Sequence, residues 1–412
     1  MGRKVRNIIF IIPEMSMGGA QRSLATIAAE MSERYNTRIV VFNRDYVPAY
    51  DHVLGKAEVL SLDVSSGPGI VTKLVSFIKR VRRLRRLKRQ LDTDVAISFL
   101  EGADYVNLLS RGSEKVILSI RGSKVHDEIM RKKFFFLRRR LISWLYRRAD
   151  AIVTVNEGIK KELNDHYKLT HVWKTVIYNF YDLDKIDRQT MEDIDTSRAA
   201  FFQFPVIAMS GRLAPEKGQL MVAQIFSEVR KHIPDARLML IGDGPERDTI
   251  IRFCTQSGWR VSYGTPDANT PDVWITGSEK NVFKYLRRST IYILNSSSEG
   301  FPNGLAEAMA CGVPVMSADC PYGPAEILAP GRSPGSKDIL VEYGLLMPMT
   351  GTQEAIDTWT TYVVRLLQDS ELRTRLSRNG RRRIGDFSKD MIIPQWITGI
   401  EGENKASVNL RV

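Results

Sequence analysis

Asn295 to Leu328 reads NSSSEGFPNGLAEAMACGVPVMSADCPYGPAEIL, and the reading of the whole chain turns on it. The apolar run Thr290 to Leu294 before it stops at three serines. A carboxylate, a glycine and a Pro-Asn-Gly turn then lead into Leu305, Ala306, Ala308, Met309 and Ala310 at helical spacing. That pattern predicts a strand delivering a polar loop to a helix N-terminus. Glu299 and Glu307 are eight residues apart, one at the carboxyl end of the strand and one about a turn into the helix. Both can point into the crevice where open α/β sheets bind ligands. The amides of Asn303, Gly304 and Leu305, at the positive end of the helix dipole, form a site for an anion such as phosphate. Gly312 closes the helix, and Val313 to Ser317 is a second short strand. Two carboxylates beside an anion site suit a ligand that joins hydroxyls to phosphates, and a nucleotide-sugar is such a ligand.

The E-x7-E of Glu299 and Glu307 within EGFPNGLAEAMACGVPV, followed by CPYGPAEIL, resembles the donor-site signature of the retaining GT-B glycosyltransferases of family four. Upstream, an apolar run from Phe204 to Met209 ends in Ser210-Gly-Arg-Leu-Ala-Pro-Glu-Lys-Gly218, similar to the family's G-R-x-x-x-E-K-G. Arg212 offers a planar bidentate donor to phosphate oxygens and Lys217 a point charge beside it; a salt-bridged loop is the alternative reading. Arg237 to Ile241 then meets Gly242-Asp-Gly-Pro245, which resembles the family's nucleotide-side loop. The first strand, residues 5–12, runs into Met15-Ser-Met-Gly18-Gly19-Ala20 and a helix with Leu24, Ile27, Ala28 and Met31 on one face. Glycines there allow a ligand close to the backbone. By resemblance, Gly18 and Gly19 face the donor diphosphate, although a tight turn without a ligand reads equally well.

The resemblance implies an α/β chain of the GT-B fold, two Rossmann-like domains facing a central cleft. The second domain would hold the nucleotide-sugar and the first mainly the acceptor. Glu299, Arg212 and Lys217 would be catalytic, with Arg212, Lys217 and the amides near Gly304 taking the diphosphate charge and Glu299 holding the hydroxyls of the transferred sugar. Glu307 would bind the ribose. The sugar would move with retention of configuration, the leaving phosphate accepting the acceptor's proton. No protein nucleophile, cofactor or metal is implied. Asp92-Thr-Asp94, Asp182-Leu-Asp184 and Asp193-Ile-Asp195 match the short D-x-D of metal-dependent transferases, but none clearly ends a strand at a cleft. The five histidines show no ligand spacing.

With 412 residues, 43% of them hydrophobic, the chain can bury two cores. We expect an N-terminal domain over 1–185, a C-terminal domain over 200–385, a linker within the polar stretch 182–204, and a terminal helix in 386–412 that crosses back to the first domain. The stretch 256–274 looks longer and looser than the family's usual link. Cys254, Cys311 and Cys320 have no C-x-x-C spacing, so no structural disulfide is expected. The N-terminal apolar run stops at Pro13, short of a signal-peptide core, and Arg6 breaks the myristoylation pattern. No uncharged apolar run reaches about 18 residues, so the protein is expected to be soluble or peripheral.

The net charge of +13 is concentrated in two places. Residues 70–91 carry nine Lys or Arg and 131–148 carry eight, neither with an acid, and without those 17 the balance is −4. In the first, Ile70, Leu74, Phe77, Ile78, Val81, Leu84, Leu87 and Leu91 form an apolar line expected to hold a helix on its domain. Arg82, Arg83, Arg85 and Arg86 are too dense for a routine solvated face. In the second, Arg138, Arg139, Arg140 and Trp144 lie among Phe134, Phe135, Phe136 and Leu137, a mixture that suits a lipid headgroup boundary. The bland alternative is a packed aromatic face with solvated arginines. Nucleic acid is not expected as a partner, because no recognised nucleic-acid fold accompanies these patches. Ser119-Ile-Arg121-Gly-Ser123 resembles a Ser-x-Arg in a subgroup that builds amino-sugar oligosaccharides on lipid carriers; Arg121 is the candidate contact to substrate phosphate or sugar, a structural ion pair being the alternative. The expectation is a transferase moving an N-acetylhexosamine or hexose from a UDP-sugar to a polyprenyl-diphosphate-linked acceptor, peripheral on the cytoplasmic face of the plasma membrane, in bacterial surface-polysaccharide or oligosaccharide synthesis. The alternatives are a nucleotide-sugar epimerase and a non-catalytic membrane-binding protein with a relic donor site.

Overall fold

In a computed structural model, residues 5–16, 18–43, 53–125, 135–266, 270–333 and 335–402 are described, and for 135–137 the backbone alone. The chain forms two compact units, Met1–Asn179 with Asp390–Val412, and Phe180–Lys389.

The first unit is a parallel sheet of β1 (Asn7–Ile11), β2 (Asn36–Val41), β3 (Glu58–Ser61), β4 (Val95–Phe99), β5 (Lys115–Ile120), β6 (Ala151–Thr154) and β7 (Lys174–Val176), in the order β3-β2-β1-β4-β5-β6-β7. The central strands are continuous apolar runs because a doubly wound sheet buries both faces. Their crossovers include α1 (Gly19–Ser32), α2 (Ile70–Gln90), α3 (Glu101–Leu109), α4 (Phe135–Tyr146) and α5 (Glu157–Asp165). Helix α1 buries Leu24, Ile27, Ala28 and Met31.

Helix α2 departs from expectation. Its apolar line packs through Phe77, Val81, Leu84, Leu87 and Leu91 on Ile9, Ile11, Val40 and Phe42. The first two turns are different: Ile70 is 86% exposed and Leu74 58%, with Val71, Val75 and Ile78 also exposed. Amphipathic spacing fixes which residues share a face, not what covers that face. Beneath the packed half, Lys88 is buried in an ion pair with Glu114 (2.7 Å) and donates to Asn107.

The second unit holds β8 (Val206–Ser210), β9 (Arg237–Ile241), β10 (Val261–Tyr263), β11 (Val273–Gly277), β12 (Ile291–Leu294), β13 (Val315–Ala318), β14 (Leu340–Val341) and β15 (Gly344–Met347), in the order β10-β11-β9-β8-β12-β13-β15-β14. All pairings are parallel except β14 with β15. The order reverses between β8 and β12, which makes the carboxyl ends of those two strands the switch point of the sheet.

One reading of the sequence is corrected here. The stretch 182–204 is not a linker: it carries α6 (Leu183–Thr190) and α7 (Thr196–Phe201), and the chain passes between units at Asn179–Phe180. Both helices belong to the second unit, where Asn281 donates to the Gln189 carbonyl and Arg381 pairs with Asp187. The loose stretch 256–274 supplies the edge strand β10 and a packed Trp259 between Phe226 and Phe253, with 267–269 outside the described residues. The three cysteines are free and buried, and burial pushes their thiols up to about 12.

Candidate functional site

Two loops flank the switch point, and hydrogen bonds stitch them together. After β8, Pro215–Lys217 forms a single 3-10 turn ended by Gly218 at φ +71°. A Cβ on Gly218 would lie 2.5 Å from the Asn295 carbonyl oxygen after β12, so only glycine fits there. Ser297 N donates to Glu216 O at 2.9 Å, and buried Gln219 donates to Arg212 O at 2.9 Å. This framing brings Lys217 Nζ within 2.6 Å of Glu299 Oε1.

Glu299 lies in a constrained setting. Its backbone bridges to Tyr322, which is held at φ +79° and ψ −100°, a conformation costly for any residue with a side chain. Gly323 follows, where a Cβ would lie 2.6 Å from Pro302 Cδ and 2.8 Å from Gly300 O. The CPYGP turn thus serves as the floor of the 299–302 loop.

That loop opens α8 (Asn303–Ala310), whose cap position is Pro302 with no side-chain cap. Asn303 Oδ1 accepts from Tyr181 Oη at 2.8 Å, Leu305 is buried in the core, and Glu307 is buried one turn in. At Gly304 a Cβ would meet Tyr292 Oη at 2.3 Å and Ser210 Oγ at 2.7 Å. Those two hydroxyls are hydrogen-bonded to each other at 3.0 Å and support the helix start from below. Burial, reinforced by the charges of Glu307 and Glu299, pushes the Tyr292 phenol well above its ordinary range, so it stays protonated. Sequence reasoning missed Tyr292, although a tyrosine inside the apolar run of a central strand was a signal.

Arg212 is two-thirds exposed and pairs with Glu216 at 2.9 Å. The salt-bridged-loop reading therefore describes its resting state. An exposed pair of this kind is worth at most about 1 kcal/mol, so a phosphate can displace it cheaply. Gly242, at φ +148°, packs its backbone on the Gly211 carbonyl just before Arg212.

The remaining candidates are in the first unit. Gly19 opens α1 and Gly18 precedes it in extended backbone at φ −177°, which any residue adopts. Arg121 donates to Ser23 Oγ at 2.8 Å and to Asn179 Oδ1, and its guanidinium lies 5.7 Å from the centre of the Phe99 ring. The three Asp-x-Asp pairs do structural work: Asp94 accepts from the backbone of Arg6 and Asn7, Asp182 caps α6, and Asp195 caps α7. No cluster of three or more metal-ligating side chains occurs among the described residues.

Of the basic candidates, Arg138 pairs with Glu101 at 2.8 Å, and Arg139 donates to His166 O at 2.6 Å. Arg140 is exposed, and Trp144 is 53% exposed beneath the Arg148 guanidinium at 4.0 Å. Arg83 donates to Asp63 O and Arg85 to Arg111 O, whereas Arg82 and Arg86 are exposed on α2. Phe134, and the side chains of Phe135, Phe136 and Leu137, lie outside the described residues.

Nearby, Asp104 is fully buried and accepts from Ser98 Oγ (2.7 Å) and Tyr146 Oη (2.6 Å). Burial pushes its carboxyl up to about 6, against the opposing pull of Lys124, Tyr146 and Ser98. A folded pKa above the unfolded value contributes stability that is full below about 4 and is lost as pH rises through about 6. Urea unfolding should therefore show wild-type stability falling by up to about 3 kcal/mol between pH 4 and 7 from this group. In Asp104→Asn that component of the slope should vanish; an unchanged slope would refute the assignment.

Two parallel-sheet units, the second with a strand-switch crevice holding a Lys-Glu pair, an uncapped helix start and a buried second carboxylate, are the architecture of the GT-B glycosyltransferases. The family description "Glycosyltransferase Family 4" matches residues 17–185, and "Glycosyl transferases group 1" matches residues 204–369. The chain belongs to this glycosyltransferase family. It is 26% identical over 352 residues to an uncharacterized glycosyltransferase of Methanocaldococcus jannaschii, covering 79% of this chain and 83% of that one. It is 22% identical over 385 residues to the N-acetylgalactosamine-N,N'-diacetylbacillosaminyl-diphospho-undecaprenol 4-alpha-N-acetylgalactosaminyltransferase of Campylobacter jejuni, covering 92% and 95%. Among solved structures, HepE of Anabaena, in complex with UDP and glucose, superposes with a TM-score of 0.70 at 17% identity, covering 96% of this chain and all of that one.

Proposed function

We propose that the protein transfers a sugar, an N-acetylhexosamine or a hexose, from a UDP-sugar to a polyprenyl-diphosphate-linked acceptor, with retention and without a metal. The observation that carries this is Glu299 held against Lys217 beside the uncapped start of α8. Such a reaction stabilises an oxocarbenium-like centre and a departing diphosphate together. Glu299 holds the sugar hydroxyls next to the developing positive charge. Lys217, Arg212 and the amides of 303–305 take the diphosphate, and Glu307 takes the ribose. The departing phosphate accepts the acceptor's proton. By the family resemblance Gly18 and Gly19 are assigned to the donor diphosphate and Arg121 to the acceptor. The diphospho-undecaprenol acceptor named for the Campylobacter relative and the UDP bound by HepE support the choice of partners.

The exposed apolar turns of α2, flanked by Lys73, Lys79, Arg82 and Arg86, support a place at the anionic cytoplasmic face of a bacterial plasma membrane, in surface-polysaccharide synthesis. No helix among the described residues is long and apolar enough to cross a membrane. Since each buried apolar side chain contributes about 1.5–3 kcal/mol, Leu74→Glu with Ile78→Glu should weaken partition into phosphatidylglycerol vesicles by about a hundredfold or more. Unchanged sedimentation with vesicles would remove α2 from the membrane contact.

The deciding experiment is UDP release from a panel of UDP-sugars in the presence of EDTA, with and without detergent-solubilised lipid-linked acceptors. Release from one donor that requires a lipid acceptor supports the proposal. Sugar interconversion without acceptor would favour an epimerase, and vesicle binding with no turnover on any donor a relic site.

A further inference from the structure

Outside the donor loops, the second basic helix forms more than a charged face. A groove of about 750 Å³ opens beside α4 and the turn after α5, lined by Arg139, Arg140, Trp144, Arg147, His166 and Lys168. Among the described residues no carboxylate lines it. Arg139 is fixed by its bond to the His166 carbonyl, which ties the two walls together. Arg140, Arg147 and Lys168 are exposed, and among the described residues none has an ion-pair partner. Lys168 adopts φ +53°, an uncommon backbone state for a residue with a side chain.

Four permanent cations gathered without an acid repel one another unless an anion joins them. The volume exceeds a single phosphate group and lies within the range of ligand pockets, roughly 300–1,000 Å³. Guanidinium groups bind phosphate oxygens in pairs, and Trp144 presents a half-exposed ring beside them for an apolar stem. A phosphodiester headgroup brings one negative charge; a diphosphate ester brings roughly two or more. Resting on the lipid-linked acceptor reading above, we propose that this groove is a diphosphate site, taking the diphosphate ester of a lipid carrier and separate from the donor diphosphate loops of the second unit. Arg138, committed to Glu101, is not part of it.

The test uses the full-length protein with UDP at saturation, to occupy the donor loops, and the variant carrying Arg140→Ala, Arg147→Ala and Lys168→Ala. These three side chains are exposed, so the thermal midpoint should stay within about two degrees of wild type. Farnesyl diphosphate in detergent micelles, inorganic pyrophosphate and phosphatidylglycerol vesicles are titrated in parallel. The expected result is binding of both diphosphates by wild type, weakened at least 30-fold in the variant. Equal diphosphate binding by the two proteins overturns the proposal, as does a loss confined to phosphatidylglycerol vesicles, which would make the groove a bilayer-headgroup surface. Wild type that ignores both diphosphates yet still transfers sugar to a lipid-linked acceptor overturns the groove alone. Absence of turnover with every lipid-linked acceptor overturns the reading beneath it.

Discussion

Replacing Glu299 by glutamine is expected to lower kcat/KM for sugar transfer by about 10²- to 10³-fold while leaving UDP affinity within a fewfold of wild type. The amide keeps the shape of the side chain and removes its charge. It therefore leaves the partly buried Lys217 ammonium, now 2.6 Å from a carboxylate oxygen, without its counter-charge. In the proposed mechanism it also takes away the negative group next to the centre that becomes positive as the glycosidic bond breaks. In the proposed mechanism the nucleotide depends on other groups: Glu307, buried on α8, and Arg212, which can leave its exposed pair with Glu216 at little cost. Calorimetric UDP titration beside initial-rate kinetics separates the two effects. Transfer within tenfold of wild type would remove Glu299 from the chemistry, and a parallel collapse of UDP affinity would make it a structural residue of the loop.

Gly242→Ala is the second substitution with a large expected effect. The new methyl would lie 2.1 Å from the Gly211 carbonyl oxygen, a backbone atom that cannot swing aside, at a φ of +148° that side-chain-bearing residues rarely adopt. Overpacking and backbone strain together should cost about 2–5 kcal/mol. The thermal midpoint of the second unit should then fall by roughly 5–15 °C. Because Gly211 N is bonded to Ile241 O and Leu213 N to Asp243 O, the shift passes directly into the segment that carries Arg212. UDP affinity should fall with stability. A variant with an unchanged midpoint and unchanged UDP binding would show that the two loops tolerate separation.

The candidate site of the second unit was readable because its chemistry is local. Glycine, proline and carboxylate positions within 295–328 specify the strand, the turn and the helix start without reference to distant residues, and 210–218 does the same for the partner loop. What escaped depended on distant partners. Tyr292 and Ser210 meet only through the pairing of β12 with β8. The partners of Arg121, Ser23 and Asn179, are 98 and 58 residues away. The stretch 182–204 looked like a linker because α6 and α7 are short and polar, burying little beyond Ile186, Thr190 and Phe201. In α2 the sequence displayed one continuous apolar stripe, yet only its later turns have a core to meet.

The final helix, α9 (Lys389–Glu401), completes the first unit: Trp396 stacks on Phe99, Lys115 donates to Gly399 O, and Glu401 pairs with Arg34 and accepts from Tyr35. A ribosome delivers this helix only after all of the second unit has emerged. The first unit's sheet must therefore wait, with Phe99 lacking its stacking partner, through the synthesis of some two hundred residues. The second unit is contiguous and has no such delay, so the middle of the nascent chain can mature before the unit formed by its two flanks is complete. A stop codon just after Lys389 would spare every residue proposed for donor binding in the second unit and still leave the first unit unfinished.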